Sequence, residues 1–426
     1  VSRSVATFVE DIDGRPIVIW GARATGMGLQ RFARNHALDV VGFVDSDPAL
    51  VGIKLSGVRV LAPEELGALR MECPRLCVIV AVSVKGKGIE TQLHKCGITS
   101  DDVLIYSEYS DIFFTIDVMG ACNLRCPSCA HGVDGVRAPS GSMSFSTFVD
   151  VVDKIKRDSD FATHISLYSW GEPFLHKDLP RLVDHLHREG ISAALSTNLS
   201  FESDARLRDV IKSAPEYLKI SLSGYDAVAY DQSHLGGSID LVKSNLFRLR
   251  HYIDKFSAGT LVDVNYHLYK HNSRGNLRDM KRLCDELGFV LSTTYALVMP
   301  LERVIDHCDG VVNLQTRALN KMLLVNIDEG IGASQVSNVE NCNFLTKQVV
   351  VNWNLSVPVC CTVFGSDEAI AVINFLQSSP EEIVAGKERC SICKKCEHHG
   401  LPAYNMGLNR SKWIEIADKK SGTDRC

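Results

Sequence analysis

Phe113-Phe-Thr-Ile-Asp-Val-Met-Gly-Ala-Cys-Asn-Leu-Arg-Cys-Pro-Ser-Cys-Ala-His-Gly132 opens as an apolar, strand-like run and closes on three cysteines in a C-x3-C-x2-C spacing. Strands of this kind end in loops, and Cys122, Cys126 and Cys129 all fall on the loop that follows. Three thiolates on one tight loop suit a cubane iron–sulfur cluster with one iron left open. A structural cluster takes four protein thiolates. An open coordination position is the sign of chemistry rather than scaffolding.

The chain around this stretch has 426 residues, too many for one ordinary core, which predicts two or three domains. Hydrophobic residues make up 45% and charged residues 23%, the balance of a globular protein. A net charge of −5 offers no basic footprint, so nucleic acid and anionic membrane are not expected partners. No apolar run approaches a membrane span, and no secretory signal opens the sequence. The 15 cysteines are the outlier, and they gather in short C-x-x-C spacings. That favours metal binding in a reducing, cytoplasmic setting over disulfides.

Before the cysteine strand, Pro16-Ile-Val-Ile-Trp-Gly21 reads as a buried strand entering a glycine turn, followed by a helical pattern through Leu29, Phe32 and Ala33. Further strands are expected over Asp39 to Val44 and Cys77 to Val82, making residues 1–110 a Rossmann-like βαβ module. Gly21, Gly26 and Gly28 do not complete G-x-G-x-x-G. Asp45 stands where a ribose-binding acid could stand, or is a turn residue of Val44-Asp-Ser-Asp-Pro48. The pattern resembles the small modules that precede catalytic domains in sugar-modifying enzymes, some of which bind a nucleotide and some of which only dock.

After a join at Glu108-Tyr-Ser-Asp111, strand and helix patterns alternate six times, with strands expected at 113–118, 163–170, 192–198, 217–223, 262–268 and 290–297. Helical stretches such as Phe145 to Lys156 and Leu179 to Arg188 fall between them. This predicts an α/β fold with a central partial (β/α)6 barrel over residues 111–305. In a parallel barrel, functional groups belong at the carboxyl ends of the strands. There stand the cysteine loop, Ser169-Trp-Gly-Glu-Pro173, Ser196-Thr-Asn198, Ser221-Leu-Ser-Gly224 and Asn265-Tyr-His-Leu-Tyr-Lys270. Each alone could be a turn former. Their convergence on one rim is the stronger observation. A zinc knuckle completed by His131 is the competing reading of the three cysteines.

With these residues quoted, the chain resembles the radical SAM superfamily over about residues 112–400. Cys122, Cys126 and Cys129 match its cluster motif, and Gly171, Glu172 and Pro173 match the motif that receives the methionine amino group of S-adenosylmethionine. Ser196, Thr197 and Asn198 match the polar motif near the ribose and carboxylate, and Ser221 and Ser223 hold the fourth-strand cofactor position. Ser128 departs from members that carry an aromatic residue before the third cysteine. The resemblance implies a [4Fe–4S] cluster, S-adenosylmethionine and its reductive cleavage to a 5′-deoxyadenosyl radical that abstracts a hydrogen atom. It also implies a reducing partner such as flavodoxin or ferredoxin.

Residues 306–410 change character, with 411–426 as a tail. A helix is expected over Leu314 to Val325, then a hairpin of Gln348 to Asn352 and Leu355 to Cys360 turning at Trp353-Asn354. With Cys342 before it and Cys390-Ser-Ile-Cys393-Lys-Lys-Cys396 after it, the array resembles the SPASM or twitch extension of radical SAM enzymes. That implies one auxiliary [4Fe–4S] cluster held by Cys342, Cys360, Cys393 and Cys396, with Cys390, Cys361 and Cys426 as competitors. A C-x2-C-x2-C zinc site with His398 or His399 remains the alternative. Cys73, Cys77, Cys96, Cys284 and Cys308 read as buried residues.

The implied activity is that of a radical SAM oxidoreductase of dehydrogenase or epimerase type, acting on a small polar substrate such as a sugar, cyclitol or nucleotide-linked sugar. One rival is maturation of a precursor peptide, which would lead one to expect a leader-binding segment rather than βαβ at the front. Another is a non-catalytic iron–sulfur or zinc scaffold. His267, Tyr269, Lys270 and Tyr295 are the catalytic candidates at the late strand ends, and His271 is a further substrate-contact candidate.

Overall fold

The computed structural model describes residues 4–81, 86–110, 112–133, 140–159, 161–335 and 342–421. Asp111 and Cys426 lie outside the described residues.

The front of the chain builds one sheet. Its strands are β1 (Ile17–Trp20), β2 (Val40–Val44), β3 (Lys54–Leu55), β4 (Val58–Leu61), β5 (Cys77–Val80) and β6 (Val103–Ile105), in the order β3-β4-β2-β1-β5-β6. All pairings are parallel except β3 with β4. β1 and β5 are buried at every position, as a sheet covered on both faces requires. Helix α1 (Val5–Ile12) is capped by Ser4, whose Oγ accepts the Thr7 N–H at 3.2 Å. Helix α2 (Ala24–Asn35) follows the glycine turn after β1.

The central sheet contains the six expected strands in sequence order. They are β7 (Phe113–Asp117), β8 (His164–Ser166), β9 (Ser192–Thr197), β10 (Tyr217–Leu222), β11 (Leu261–Leu268) and β12 (Val290–Tyr295), each parallel to its neighbours. Period-two alternation sends two different sets of side chains to the two faces. Ile116, Ile165, Leu195, Leu218, Ile220, Val262 and Val264 face outward into the main core. The helices Phe145–Asp158, Leu179–Arg188, Asp204–Lys212, Ile239–Phe256 and Gly275–Leu287 cover them. The inner face is polar. Ser196 and Ser221 hydroxyls meet at 3.3 Å, Asn265 Nδ2 donates to Ser292 Oγ at 3.0 Å, and Lys219 Nζ stands 4.9 Å from the Tyr168 ring.

A seventh strand, β13 (Gln348–Asn352), corrects the expected hairpin. It adds to the open edge of the barrel, parallel to β7, with Val350 opposite Thr115. The turn after it forms, Asn352 N–H donating to Ser356 O at 2.9 Å. The next strand, β14 (Val357–Pro358), then pairs antiparallel with β15 (Ile370–Val372) instead of with β13. Burial decides this: Val349, Val350 and Val351 are at most 6% exposed against the barrel. The helix expected at Leu314 to Val325 spans Leu314–Met322.

The two sheets meet at the lower mouth of the barrel. Arg23, at the start of α2, donates from Nε to Asp263 Oδ2 at 2.9 Å and from Nη2 to Asp47 Oδ2 at 2.6 Å. Asp263 also accepts from Tyr217 Oη at 2.8 Å and Ser292 Oγ at 2.5 Å. Nearby, Arg31 Nε meets Glu216 Oε1 at 2.6 Å, and Phe8, Phe32, Tyr106 and Phe161 share a core with Ala194, Tyr217 and Val290. The crevice in which such a module would hold a nucleotide therefore faces the barrel. Asp45 behaves as the turn residue: its carboxylate accepts the Ala22 and Asp47 N–H groups, both at 2.9 Å.

Candidate active site

The cysteine loop leaves the upper end of β7. Its thiols lie close enough to disturb one another: burial pushes Cys122 up to about 12, and the charges of Glu172 and Cys129 add to the shift. Cys126 and Cys129 are raised by burial as well. Thiols this costly to ionise alone become thiolates when a metal supplies the positive charge. Leu124 N–H lies 3.4 Å from Cys122 Sγ, and Asn198 Nδ2 lies 3.8 Å from it. His131, which a zinc knuckle would require, packs against Phe364 at 5.8 Å between centroids and leaves its Nε2 unpartnered. The donor set is thus three thiols from one loop, which fits a cubane with an open iron.

The loop after β8 folds over this one. Gly171 is required there, since a Cβ would stand 1.5 Å from the Met119 carbonyl oxygen. Asp117, at the end of β7, accepts the Trp170 N–H at 3.2 Å and the Gly171 N–H at 3.4 Å. Burial raises its pKa to about 7.

Glu172 does not face outward as an ion-pair partner. Its Oε1 accepts the Phe174 N–H at 3.0 Å and its Oε2 the Asn198 N–H at 2.8 Å, and the residue is 3% exposed. Burial raises its pKa to about 7. The carboxylate ties the end of β8 to the end of β9, leaving the backbone of this loop as the edge available to a ligand. Pro173 is buried at the start of the following turn.

Ser196 and Asn198 face the barrel interior and the cysteine loop, Asn198 Nδ2 donating to Asn123 Oδ1 at 2.9 Å. Thr197 alternates away, and its Oγ1 accepts the Leu199 N–H at 3.0 Å. Ser221 points inward, whereas Ser223 is 1% exposed in a network with Ser233 Oγ at 3.0 Å and His234 Nδ1 at 3.1 Å.

The four catalytic candidates separate. His267 lies on the inner face of β11, its pKa lowered to about 3 by burial and by His234 and Lys219. Tyr269 is 2% exposed, with its hydroxyl toward Ser128 of the cysteine loop. Lys270 lies past the end of β11 and donates from Nζ to the Lys321 carbonyl at 2.8 Å on the surface. Tyr295 occupies the outer phase of β12 and stacks on Trp413 at 5.7 Å. Lys270 and Tyr295 therefore stand outside the barrel interior. His271 stacks on Tyr269 at 5.2 Å.

In the C-terminal part, Cys342, Cys360, Cys393 and Cys396 line one cavity together with Leu301, Thr362 and Pro402. The helix Ser391–His398 explains two of them, because i and i+3 share a face. Cys390 lies outside this set, its Sγ 3.4 Å from the Gly386 carbonyl. Cys361 lies beside Cys360 but does not line the cavity, its N–H donating to Gln348 Oε1 at 3.3 Å. His399 pairs with Asp309 at 2.8 Å. Among the described residues no three His, Cys, Asp or Glu side chains are gathered around a single-ion position. Of the isolated cysteines, Cys77 and Cys284 are buried, and Cys73, Cys96 and Cys308 are half-buried.

Sequence reasoning missed four charged groups. Asp117 was hidden inside a strand pattern. Lys219 lies on the inner face of β10 with no carboxylate partner among the described residues. Lys387, 3% exposed, donates to the Leu345 carbonyl at 3.1 Å and to that of Gln348, beside the four-cysteine cavity. Arg303 donates to the Pro127 carbonyl within the cysteine loop. Only the alternation of β10 could have pointed to one of them, Lys219.

Residues 116–271 match the family model of the radical SAM superfamily. This segment is a radical SAM domain. The radical SAM family uses a [4Fe–4S] cluster and S-adenosylmethionine, and the thiols of Cys122, Cys126 and Cys129 fit that cluster. Among curated relatives, the PqqA peptide cyclase of Streptomyces rochei is 26% identical over 170 residues, 40% of this chain and 43% of that one. A probable GTP 3′,8-cyclase of Methanococcus maripaludis is 29% identical over 252 residues, 55% of this chain and 80% of that one. The match to the peptide cyclase thus spans less than half of its length. Among solved structures, Streptococcus suis SuiB bound to precursor peptide SuiA has a TM-score of 0.47 at 14% identity, covering 76% of this chain and 83% of that one. BtrN in complex with AdoMet and 2-DOIA has a TM-score of 0.37 at 15% identity, covering 66% and 89%. No helix among the described residues is long and apolar enough to cross a membrane.

Proposed function

We propose that this radical SAM enzyme abstracts a hydrogen atom from a small polar substrate held inside the barrel, with dehydrogenation or epimerisation as the outcome. One observation carries the reading: the inner face of the barrel is polar, and its lower mouth is closed by the N-terminal module through Arg23, Asp263 and Tyr217. A closed, hydroxyl-lined space suits a sugar or cyclitol better than a through-running peptide. Lys219 adds a cation that would favour a carboxylate or phosphate on the substrate. A nucleotide, if the substrate carries one, would compete in the module's crevice with Arg23, whose guanidinium pairs with Asp263 and Asp47.

In this reading Cys122, Cys126 and Cys129 hold the cluster, and the backbone around Trp170 and Gly171, with Ser196, Asn198 and Ser221, orients S-adenosylmethionine. The cofactor pair supplies, on one-electron reduction, the 5′-deoxyadenosyl radical that takes the hydrogen atom. A flavodoxin- or ferredoxin-type donor supplies the electron. His267 is the inner-face candidate for contact with the substrate: burial, His234 and Lys219 keep its ring neutral at pH 7, where one nitrogen donates and the other accepts a hydrogen bond. Cys342, Cys360, Cys393 and Cys396 would hold one auxiliary [4Fe–4S] cluster, which would supply a one-electron acceptor beside the substrate space. Four thiols lining one cavity match the four thiolates that such a cluster takes.

A second reading is favoured by a different feature. A cavity of about 480 Å³ opens at the β7–β13 edge, lined by Asp117, Trp170, Trp353 and Phe364 among others. Such a groove suits a peptide segment. Deuterium transfer into 5′-deoxyadenosine separates the two. Label is expected from deuterated sugars, cyclitols or their phosphates; label from peptides alone would overturn the preferred reading.

A further inference from the structure

We propose that Arg303 is the fixed counter-charge of the radical SAM cluster, a positioning residue that sets how readily that cluster is reduced. The inference rests on the assignment of Cys122, Cys126 and Cys129 as its ligands.

Arg303 lies in the first turn of the helix Leu301–Cys308 and is 6% exposed. Its Nη1 donates to the Pro127 carbonyl at 2.8 Å and the Met299 carbonyl at 2.9 Å, and its Nε donates to Thr316 Oγ1 at 3.1 Å. All three acceptors are neutral. Among the described residues no carboxylate pairs with the guanidinium, and the adjacent Glu302 turns its Oε1 to the Phe364 N–H at 2.9 Å instead. A buried cation without an anion is costly, and arginine cannot escape by losing its proton. The charge it does feel is that of Cys129, two residues beyond the proline it holds.

The cluster provides what the site lacks. A cubane with three thiolates is an anion, and reduction adds one electron and one further negative charge while Arg303 keeps its protons. A fixed cation at short range in a poorly solvated site stabilises the more negative state more strongly. The hydrogen bond to Pro127 holds the loop between the second and third cysteines. The helix that brings Arg303 packs through Leu301, Val304 and Ile305 into the core of the C-terminal part, so docking of that part and tuning of the cluster are one event.

The test uses the full chain, reconstituted anaerobically as wild type, Arg303→Lys, Arg303→Gln and Arg303→Met. Each is poised at a series of potentials, and the reduced-cluster EPR signal that S-adenosylmethionine perturbs is measured beside iron content. At the wild-type midpoint, Arg303→Gln and Arg303→Met are expected to lower the reduced-to-oxidised ratio about tenfold, equal to about 59 mV for a one-electron couple. Arg303→Lys is expected to recover most of it. Gln keeps a donor for Pro127 without the charge, so a Gln variant that titrates like wild type overturns the proposal even if the Met variant fails to fold. A wild-type protein with no signal responsive to S-adenosylmethionine would overturn the cluster assignment itself, which is a different failure.

Discussion

Asp117 stands directly behind the cysteine loop, where burial opposes its charge and the Trp170 and Gly171 N–H groups favour it. Burial wins, and the pKa rises to about 7. A carboxyl raised in the folded state contributes stability that is fully present below its unfolded pKa, near 4, and lost as pH rises through 7. In metal-free protein, Asp117→Asn is therefore expected to gain roughly 1–3 kcal/mol at pH 8 and nothing near pH 4. Urea titrations at the two pH values check this; an equal offset at both would show that the charge is not the cause. At this scale the sequence was readable where ligands are neighbours along the chain. Cys122, Cys126 and Cys129 announce themselves by spacing. Glu172 was legible as a residue but not in its direction, because its partner Asn198 is 26 residues away on another strand end. Arg303 was not legible at all, since its hydrogen bond to Pro127 spans 176 residues.

Elements were easier to read than the pairings between them. The six barrel strands followed from alternation and from their turn residues, and their ends moved by only a few residues. β8 is the main exception, ending at Ser166 because the chain beyond it wraps over Asp117. Gln348–Asn352 has the composition of a strand, but nothing local says that its partner is β7 rather than the strand after its own turn. The late cysteines show the same division. Cys390, Cys393 and Cys396 are equally spaced in sequence, yet Cys390 precedes the helix and turns toward Gly386. Cys396→Ser is thus expected to lower iron by about four per chain, the content of one cubane, while Cys390→Ser keeps full iron content. Iron and acid-labile sulfide assays decide it. Loss of iron from the Cys390 variant would reassign the ligand set.

At the scale of the whole molecule, two ion pairs that no stretch of sequence places together join the N-terminal module to the barrel. Arg23 reaches Asp263 across 240 residues, and Arg31 reaches Glu216 across 185. The βαβ pattern of the module was legible; its seat under the barrel was not, because its docking partners Asp263 and Glu216 lie far along the sequence. Burial alone would raise Glu216, but His187, Arg31 and the Ala193 N–H outweigh it and depress its pKa to about 2. Its contribution is therefore present above its unfolded value near 4.5 and fades as pH falls toward 2, opposite in sign to Asp117. Arg23 matters at neutral pH. Removing it leaves Asp263, whose side chain is 2% exposed, without a cation. Breaking a fully buried pair from one side costs about 3–5 kcal/mol, and Arg23 is 33% exposed, so Arg23→Met is expected to cost about 2–3 kcal/mol. Adding Asp263→Asn should recover part of that loss, because the double variant no longer buries an unpaired charge. Urea melts of the two single variants and the double give the coupling. Strictly additive effects would mean that the module rests on its apolar contacts alone, and that closure of the barrel does not depend on Arg23.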